Sequence, residues 1–187
     1  DAAKNHLHSS PPPSKNIPTE AFEKLKSPSL SARQSGIKQL VQISVNQQES
    51  LLSLYFSETD QDIKMGIIKA MAELKKAIFL PAFLDAVGVE IGNHCQGNIR
   101  RVAACAIGEI DWQLELNTNS MAKTIEKLEW ALLNPEDWGL RYSACLALKS
   151  INTTLAMEVL CKARAKETDP VVSTRIAMAL PAPDAEL

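Results

Sequence analysis

The stretch from Asp137 to Leu148, which reads Asp-Trp-Gly-Leu-Arg-Tyr-Ser-Ala-Cys-Leu-Ala-Leu, decides the fold of this chain. Its small and aliphatic residues recur at intervals that place them on one side of an α-helix. These residues are Leu140, Ala144, Ala147 and Leu148, continued by Ile151. An apolar stripe of this kind has to be buried against another element, so the helix is expected to pack against a neighbour.

The same pattern returns four more times, and this repetition tells us what the neighbour is. Each copy carries a polar start, an aliphatic residue, a cation and then small residues. The cations are Arg33, Lys64, Arg100 and Arg141, and Ser173 takes their place in the last copy. The uneven spacing of the copies lies in the range of helical-hairpin repeats. The pattern resembles HEAT repeats and predicts an all-α superhelix, an α-solenoid, of about five helical hairpins over residues 18–180.

Composition excludes several other classes of protein. The chain has 187 residues, 45% of them hydrophobic, and a formal charge of -2, which is typical of a globular protein of one or two domains. We expect no nucleic-acid partner, because there is no basic excess, and no membrane span, because Pro81 and Asp85 interrupt the longest apolar run. The four cysteines form no C-x-x-C pair, so we expect neither a metal site nor a disulfide framework.

The two ends of the chain differ from the repeats. Residues 1–17 are rich in Pro and Ser, including Pro11, Pro12 and Pro13, and carry little apolar content. We expect a disordered lead over 1–17 and a flexible tail over 181–187.

Local signals predict where several helices begin. Asp60 is expected to cap the helix that follows it. Asp137 is expected near the start of a helix from about Pro135 to Ile151, where its carboxylate meets free N–H groups. The segment Gly92-Asn-His-Cys-Gln-Gly97 has the composition of a turn. We therefore expect the second helix of the third hairpin to begin at Asn98.

The repeat cations have an evident structural interpretation. A row formed by Arg33, Lys64, Arg100 and Arg141 beside Asp60 and Asp137 could build a ladder of ion pairs between neighbouring repeats. The alternative is a role for Arg100 or Arg141 in binding a ligand.

Aromatic residues cluster in the third and fourth repeats. Trp138 and Tyr142 flank Arg141 on the same predicted helix. Together they could form one side of a binding site for a flat, acidic, conjugated ligand. The alternative is that the rings are packing residues, which is the interpretation we favour for Trp130 because of its helical spacing from Leu128 and Leu133.

Catalytic motifs are scarce. His94 and Cys95 are neighbours, so that an imidazole and a thiol could cooperate, but the sequence places no third group beside them. There is no Gly-rich phosphate loop, no H-E-x-x-H and no G-x-S-x-G. From the residues alone, the chain is a binding module.

A family resemblance adds to this. The segment Asp137 to Ala144 is similar to the Asp-Trp-x-(Val/Leu)-Arg-Tyr-Ala-Ala motif of the HEAT-like phycobilin lyases, with Ser143 where alanine is usual. The segment from Asp169 to Leu180, with Val172 and Arg175, resembles the region that follows this motif in the F-type subunits of E/F lyases. The specific part of the resemblance covers residues 135–180.

The resemblance implies a function. Such a chain would be one subunit of a heteromeric lyase that binds a linear tetrapyrrole and assists its attachment to a cysteine of a phycobiliprotein, beside a longer E-type subunit. The bilin would be a substrate and not a permanent cofactor, and the reactive cysteine would belong to the phycobiliprotein. The expected location is the cytoplasm of a cyanobacterium or a plastid stroma.

It also suggests candidate ligand contacts. Arg141 or Arg100 would hold the bilin propionates. The rings of Trp138, Tyr142 and Trp112 would enclose the pyrroles, and Asp137 or Glu109 would accept hydrogen bonds from pyrrole N–H groups.

Two alternatives stay open at this point. One is a related HEAT protein of phycobilisome degradation, which removes bilins. The other is a non-enzymatic HEAT adaptor that joins two proteins and binds no pigment.

Overall fold

The computed structural model describes residues 16–88, 94–112 and 118–181, without the side chains of residues 94–97 and 118. Within these ranges the chain forms ten α-helices and a short 3-10 turn at Ala77–Phe79, and no strand. The helices are α1 (Thr19–Leu25), α2 (Leu30–Val41), α3 (Val45–Ser57), α4 (Gln61–Leu74), α5 (Leu80–Gly88), α6 (His94–Gly108), α7 (Thr118–Leu133), α8 (Trp138–Ile151), α9 (Thr154–Arg164) and α10 (Pro170–Ala179).

The helices form two layers. The even-numbered helices pack side by side in the order α2, α4, α6, α8 and α10, and the odd-numbered helices α3, α5, α7 and α9 neighbour one another on the other side. Consecutive helices pair as five hairpins, each of which packs mainly against the next. The prediction of an all-α, HEAT-like array of about five hairpins is confirmed.

The stripe of α8 lies in the core, as its spacing predicted. Leu140, Ala144 and Leu148 are fully buried, and Ala147 is nearly so. The helix backbones come close together where α6 meets α8: a Cβ atom added to Gly108 would lie 2.8 Å from Cα of Ala147. The absence of a side chain at Gly108 therefore sets the distance between the third and fourth repeats.

Aspartates begin three of the even-numbered helices. Asp60 accepts hydrogen bonds from the backbone N–H groups of Asp62 and Ile63, and Asp137 accepts one from Gly139. Asp169 caps α10 in the same way, with Pro170 in its first turn. The predicted cap at Asp60 is confirmed. The helix α8 begins at Trp138, three residues after its predicted start at Pro135, and Asp137 precedes it as its cap.

The start of α6 differs from the prediction. This helix begins at His94 and not at Asn98, so Gly97 lies in its first turn and not in a break between helices. A single glycine costs a helix only about 1 kcal/mol, and the extensive packing of the rest of α6 against α5 and α8 offsets that cost.

The first two repeat cations have intramolecular contacts that differ from the predicted ladder. Arg33 donates to the carbonyls of Ser27 and Pro28, in the loop that precedes its own helix. Lys64 lies over the ring of Tyr55, 4.5 Å from its centroid. Their hydrogen-bonding and ring partners therefore lie within their own hairpins, and Asp60 is a helix cap and not their ion-pair partner.

The predicted lead and tail lie largely outside the described residues, so their boundaries remain predictions. Residues 16 and 17 are already in contact with the repeats: the side chain of Gln47 donates to the carbonyl of Asn16 at 2.7 Å, and Ile17 packs against the core. None of the helices in the described ranges is long and apolar enough to cross a bilayer.

Candidate functional site

The two aromatic residues of the α8 motif lie on the same exposed side of the helix. Trp138 is its first residue and Tyr142 follows four positions later, one turn along. Trp138 is 48% exposed, and Tyr142 is half-buried against the core. An indole left this open to solvent, directly after a helix cap, offers its face to a partner or ligand.

An arginine from the preceding repeat holds the start of α8. The guanidinium of Arg101 donates to both carboxylate oxygens of Asp137, and its Cζ lies 5.9 Å from the ring centroid of Trp138. It also lies against Gly139, where an added Cβ would come within 2.5 Å of Cζ. Only glycine leaves room for this arrangement.

The Arg101 and Asp137 pair is electrostatically matched. Partial burial raises the pKa of the Asp137 carboxyl, but the hydrogen bond from Arg101 and the N–H groups of α8 outweigh it and hold that pKa below its usual value. The hydrogen bond to Asp137 raises the pKa of Arg101 in turn. Both groups are therefore charged at neutral pH, and Arg101 keeps a side chain that is 45% exposed.

A second arginine, from the following repeat, lies over Tyr142. The Cζ atom of Arg175 is 5.0 Å from the ring centroid, and the guanidinium donates a hydrogen bond to the phenol oxygen. Beside this pair is a shallow groove of about 350 Å³ between α8 and α10. Val171 and Met178 line the groove and are 51% and 61% exposed.

These four side chains come from three neighbouring repeats, and each ring has a guanidinium group beside it. We call Arg101, Trp138, Tyr142 and Arg175 the aromatic ridge. It combines two rings with two cations, which is suited to a flat, conjugated ligand that carries carboxylates.

The two arginines predicted as carboxylate ligands have other contacts. Arg141 donates to the carbonyls of Pro135 and Glu136 and, through Nε at 2.9 Å and a terminal nitrogen at 3.2 Å, to the two oxygens of Glu167. Its ion pair therefore links α8 to the loop before α10.

Arg100 is only 2% exposed. It donates to the carbonyl of Val87 at 3.1 Å and lies 5.5 Å from the ring centroid of Trp130. Burial lowers the pKa of Arg100, with Asp137 acting in the opposite direction. Asp137 forms its ion pair with Arg101, the residue next to Arg100, and not with Arg100 or Arg141 as predicted.

Two other candidates also have intramolecular partners. Trp112 is buried, and its indole N–H donates to the carbonyl of Ile107 at 2.9 Å. Glu109 pairs with Lys75 across neighbouring repeats at 2.8 Å, with both side chains about half exposed. The structure brings Asp137, Trp138 and Tyr142 together and gives Trp112, Glu109, Arg100 and Arg141 contacts of their own.

The cysteine of the α8 motif is not an activated thiol. Cys145 is buried, and that burial raises its pKa to about 11, which leaves little thiolate at neutral pH. The side chains of His94 and Cys95 lie outside the described residues. The hypothesis that these two cooperate stays a prediction.

Positive charge is concentrated in the layer that carries the ridge. The five even-numbered helices contain nine Lys and Arg residues but only two acidic ones, Asp62 and Glu73. The five odd-numbered helices contain five Lys and Arg residues and seven acidic ones. The even-numbered helices thus carry an excess of basic residues although the whole chain has a formal charge of -2.

Arg101 and Arg175 belong to the site although the sequence did not predict them there. A signal existed for both: counting charges helix by helix, instead of over the whole chain, would have singled out the even-numbered helices. Arg175 also lies in the second segment of the family resemblance.

The fold and the repeat pattern define a HEAT-repeat protein, and residues 89–181 match the family model of HEAT repeats. Two curated relatives, each named bilin biosynthesis protein PecF, are 40% identical to this chain. The one from Nostoc sp. strain PCC 7120 aligns over 148 residues, 79% of this chain and 85% of its own length. The one from Mastigocladus laminosus aligns over 146 residues, 78% and 68%. The chain belongs to the PecF family of bilin biosynthesis proteins.

A solved structure agrees with the fold. A chain from the complex of CpcE and CpcF of phycocyanin lyase from Nostoc sp. PCC7120 matches with a TM-score of 0.71. The match covers 86% of this chain and 96% of that one, at 18% identity. At this identity the likeness concerns the fold, and it agrees with the two-layer array of hairpins described above.

Proposed function

We propose that this chain is the F-type subunit of a heteromeric phycobilin lyase, which binds a linear tetrapyrrole and assists its attachment to a cysteine of a phycobiliprotein. Membership of the PecF family supports the assignment to bilin biosynthesis. The observation that carries the proposal is the aromatic ridge, because it places two rings and two cations on one accessible surface.

The ridge fits the chemistry of a bilin. The pyrrole rings of the pigment stack against Trp138 and Tyr142, and its propionates approach Arg101 and Arg175, whose guanidinium groups are suited to carboxylates. Asp137, which caps α8 and whose pKa is held low by its pairing with Arg101, accepts a hydrogen bond from a pyrrole N–H. Holding the pigment in one conformation limits side reactions and orients it for attack.

The chemical step is an addition. The cysteine thiol of the acceptor adds across a carbon–carbon double bond of the bilin: a sulfur–carbon bond forms, the π bond breaks, and the thiol proton ends on the neighbouring carbon. Atoms balance without an oxidant or a leaving group. The nucleophile belongs to the acceptor, so this chain acts by binding and orientation.

An E-type subunit is the proposed partner. The structural neighbour comes from a complex of CpcE with CpcF, which supports a second protein of that kind as the partner. The cyanobacterial relatives support the cytoplasm of a cyanobacterium as the location.

Reconstitution tests the function directly. An apo-phycobiliprotein subunit, an E-type partner and a bilin-producing pathway are expressed with and without this chain, and the purified phycobiliprotein is examined for covalent pigment. We expect attached bilin only when this chain is present. Equal attachment in its absence, or a colourless product in both cases across several acceptors, would contradict the proposal and favour a protein adaptor.

A further inference from the structure

We propose that a groove formed by α2, α4 and α6 is the docking site for the acceptor phycobiliprotein, which it binds through an amphipathic helix with acidic side chains beside its apolar stripe. This inference rests on the proposed function, because it concerns the second substrate of the same reaction. It adds a protein-binding surface to the pigment-binding ridge.

The groove has an aliphatic floor. Its volume is about 610 Å³, and Ile37, Met65 and Val102 contribute one apolar side chain each from α2, α4 and α6. Leu30 extends the floor at one end and is 63% exposed. A row of aliphatic side chains between neighbouring helices receives the apolar stripe of another helix, and methionine adapts its shape to such a partner.

Two lysines without ion-pair partners border this floor. Lys38 of α2 and Lys69 of α4 each lie five positions after their repeat cation, so they occupy equivalent places in neighbouring repeats. Within the described part of the chain neither forms an ion pair, in contrast to Arg101 and Arg141. Two free ammonium groups beside an apolar floor match acidic residues on the flank of an amphipathic helix.

The other charged groups of the groove define an orientation. Arg33 keeps its charge but uses its guanidinium to hold the loop before α2. Asp62 and Glu73 lie near the two ends of α4, with Lys69 between them in sequence. The docked helix therefore places its acidic residues opposite Lys38 and Lys69 and away from the ends of α4.

The lining favours a protein over the pigment. No aromatic residue is among the side chains that line the groove, whereas the ridge presents two rings. A conjugated tetrapyrrole gains most from stacking on rings, and a helix from packing on aliphatic side chains. In the even-numbered layer only α6 separates α4 from α8, so acceptor and pigment are held on neighbouring parts of one surface.

The test measures the two substrates separately. The chain, in complex with its E-type partner, is titrated with an apo-phycobiliprotein subunit to obtain a Kd, and with free bilin to obtain a second Kd from absorbance. In the variant Lys38→Glu/Lys69→Glu we expect the Kd for the acceptor to rise at least about tenfold and the Kd for bilin to stay within about twofold. The control Lys76→Glu/Lys123→Glu reverses two exposed lysines outside the even-numbered helices, and we expect no change in either Kd.

The opposite results are equally clear. An unchanged acceptor Kd in the folded double variant would overturn the inference. So would loss of the E-type subunit from the variant complex, which would make the groove the site of that subunit, or a weakened bilin Kd at unchanged acceptor affinity. If the Glu variant does not fold, Lys38→Gln/Lys69→Gln serves instead, with a smaller rise in the acceptor Kd and a weaker dependence of that Kd on salt expected. Failure of the unaltered complex to bind bilin would count against the proposed function, while the acceptor titration would still report on the groove.

Discussion

At the scale of single residues, neighbouring arginines have different tasks. Arg100 is buried under Trp130, whereas Arg101, one position later and 100° further around the helix, reaches Asp137 and Trp138. Helical periodicity was sufficient to place Trp138 and Tyr142 on one side of α8. It could not tell which arginine of the third repeat reaches them, because that depends on the rotation of α6 against α8.

Gly108 offers a test of the close packing between α6 and α8. We expect Gly108→Ala to lower the free energy of unfolding by about 1 to 3 kcal/mol, because the new Cβ would lie 2.8 Å from Cα of Ala147 and backbone cannot move aside cheaply. Urea unfolding followed by circular dichroism measures the change. At Gly88 a Cβ meets only the flexible end of Lys127, so Gly88→Ala is the matched control and should cost far less. Equal effects of the two substitutions would contradict this account of the contact.

At the scale of elements, ion pairs join one repeat to the next. Arg141 at the start of α8 binds Glu167, which in turn accepts hydrogen bonds from the backbone N–H groups of Thr168 and Asp169 before α10. The side chain of Glu167 is only 5% exposed. The sequence predicted that Arg141 would link repeats. It did not identify Glu167 as the partner, because that residue lies in a loop outside the repeated pattern.

The Arg141 and Glu167 pair predicts a pH dependence of stability. Burial raises the pKa of Glu167, but the hydrogen bonds from Arg141 and the loop lower it further, so the folded protein holds this carboxyl below its ordinary pKa of 4.5. Its contribution is therefore present above pH 4.5 and is lost as the pH falls through the folded value. We expect Glu167→Gln to cost about 1 to 2 kcal/mol at pH 7, and this difference from the unaltered chain to shrink below pH 4.5.

Urea unfolding at pH 7 and at pH 3 checks this expectation. Glu23→Gln removes the exposed partner of Lys26 and should change stability by less than about 0.5 kcal/mol at either pH. A cost for Glu167→Gln that is the same at both pH values would show that the pair does not act through its charge.

At the scale of the whole molecule, the repeat pattern predicted most of the architecture. Five copies of one helical motif implied five hairpins, because a stripe that one helix cannot bury alone is buried by the next copy. The uneven charge of the two layers escaped prediction. Acidic residues of the odd-numbered helices and the loops offset the basic excess of the even-numbered helices, so the net charge of the chain is -2. The excess is recognised only when the charges are counted separately for the two layers.

The central claim is that the aromatic ridge holds the pigment, and a bilin titration tests it most directly. The chain and its E-type partner are titrated with free bilin, and the absorbance change gives a Kd for the unaltered complex and for Trp138→Ala/Tyr142→Ala. We expect the double variant to bind at least about tenfold more weakly, because loss of stacking on one ring costs about 1 to 3 kcal/mol. Helicity should be unchanged, since Trp138 is 48% exposed and Tyr142 lies at the edge of the core.

Phe56→Ala is the control, because it removes a ring that is 53% exposed on α3, in the odd-numbered layer. It should leave the Kd for bilin unchanged. If a well-folded Trp138→Ala/Tyr142→Ala complex bound bilin as tightly as the unaltered complex, the ridge would not be the pigment site.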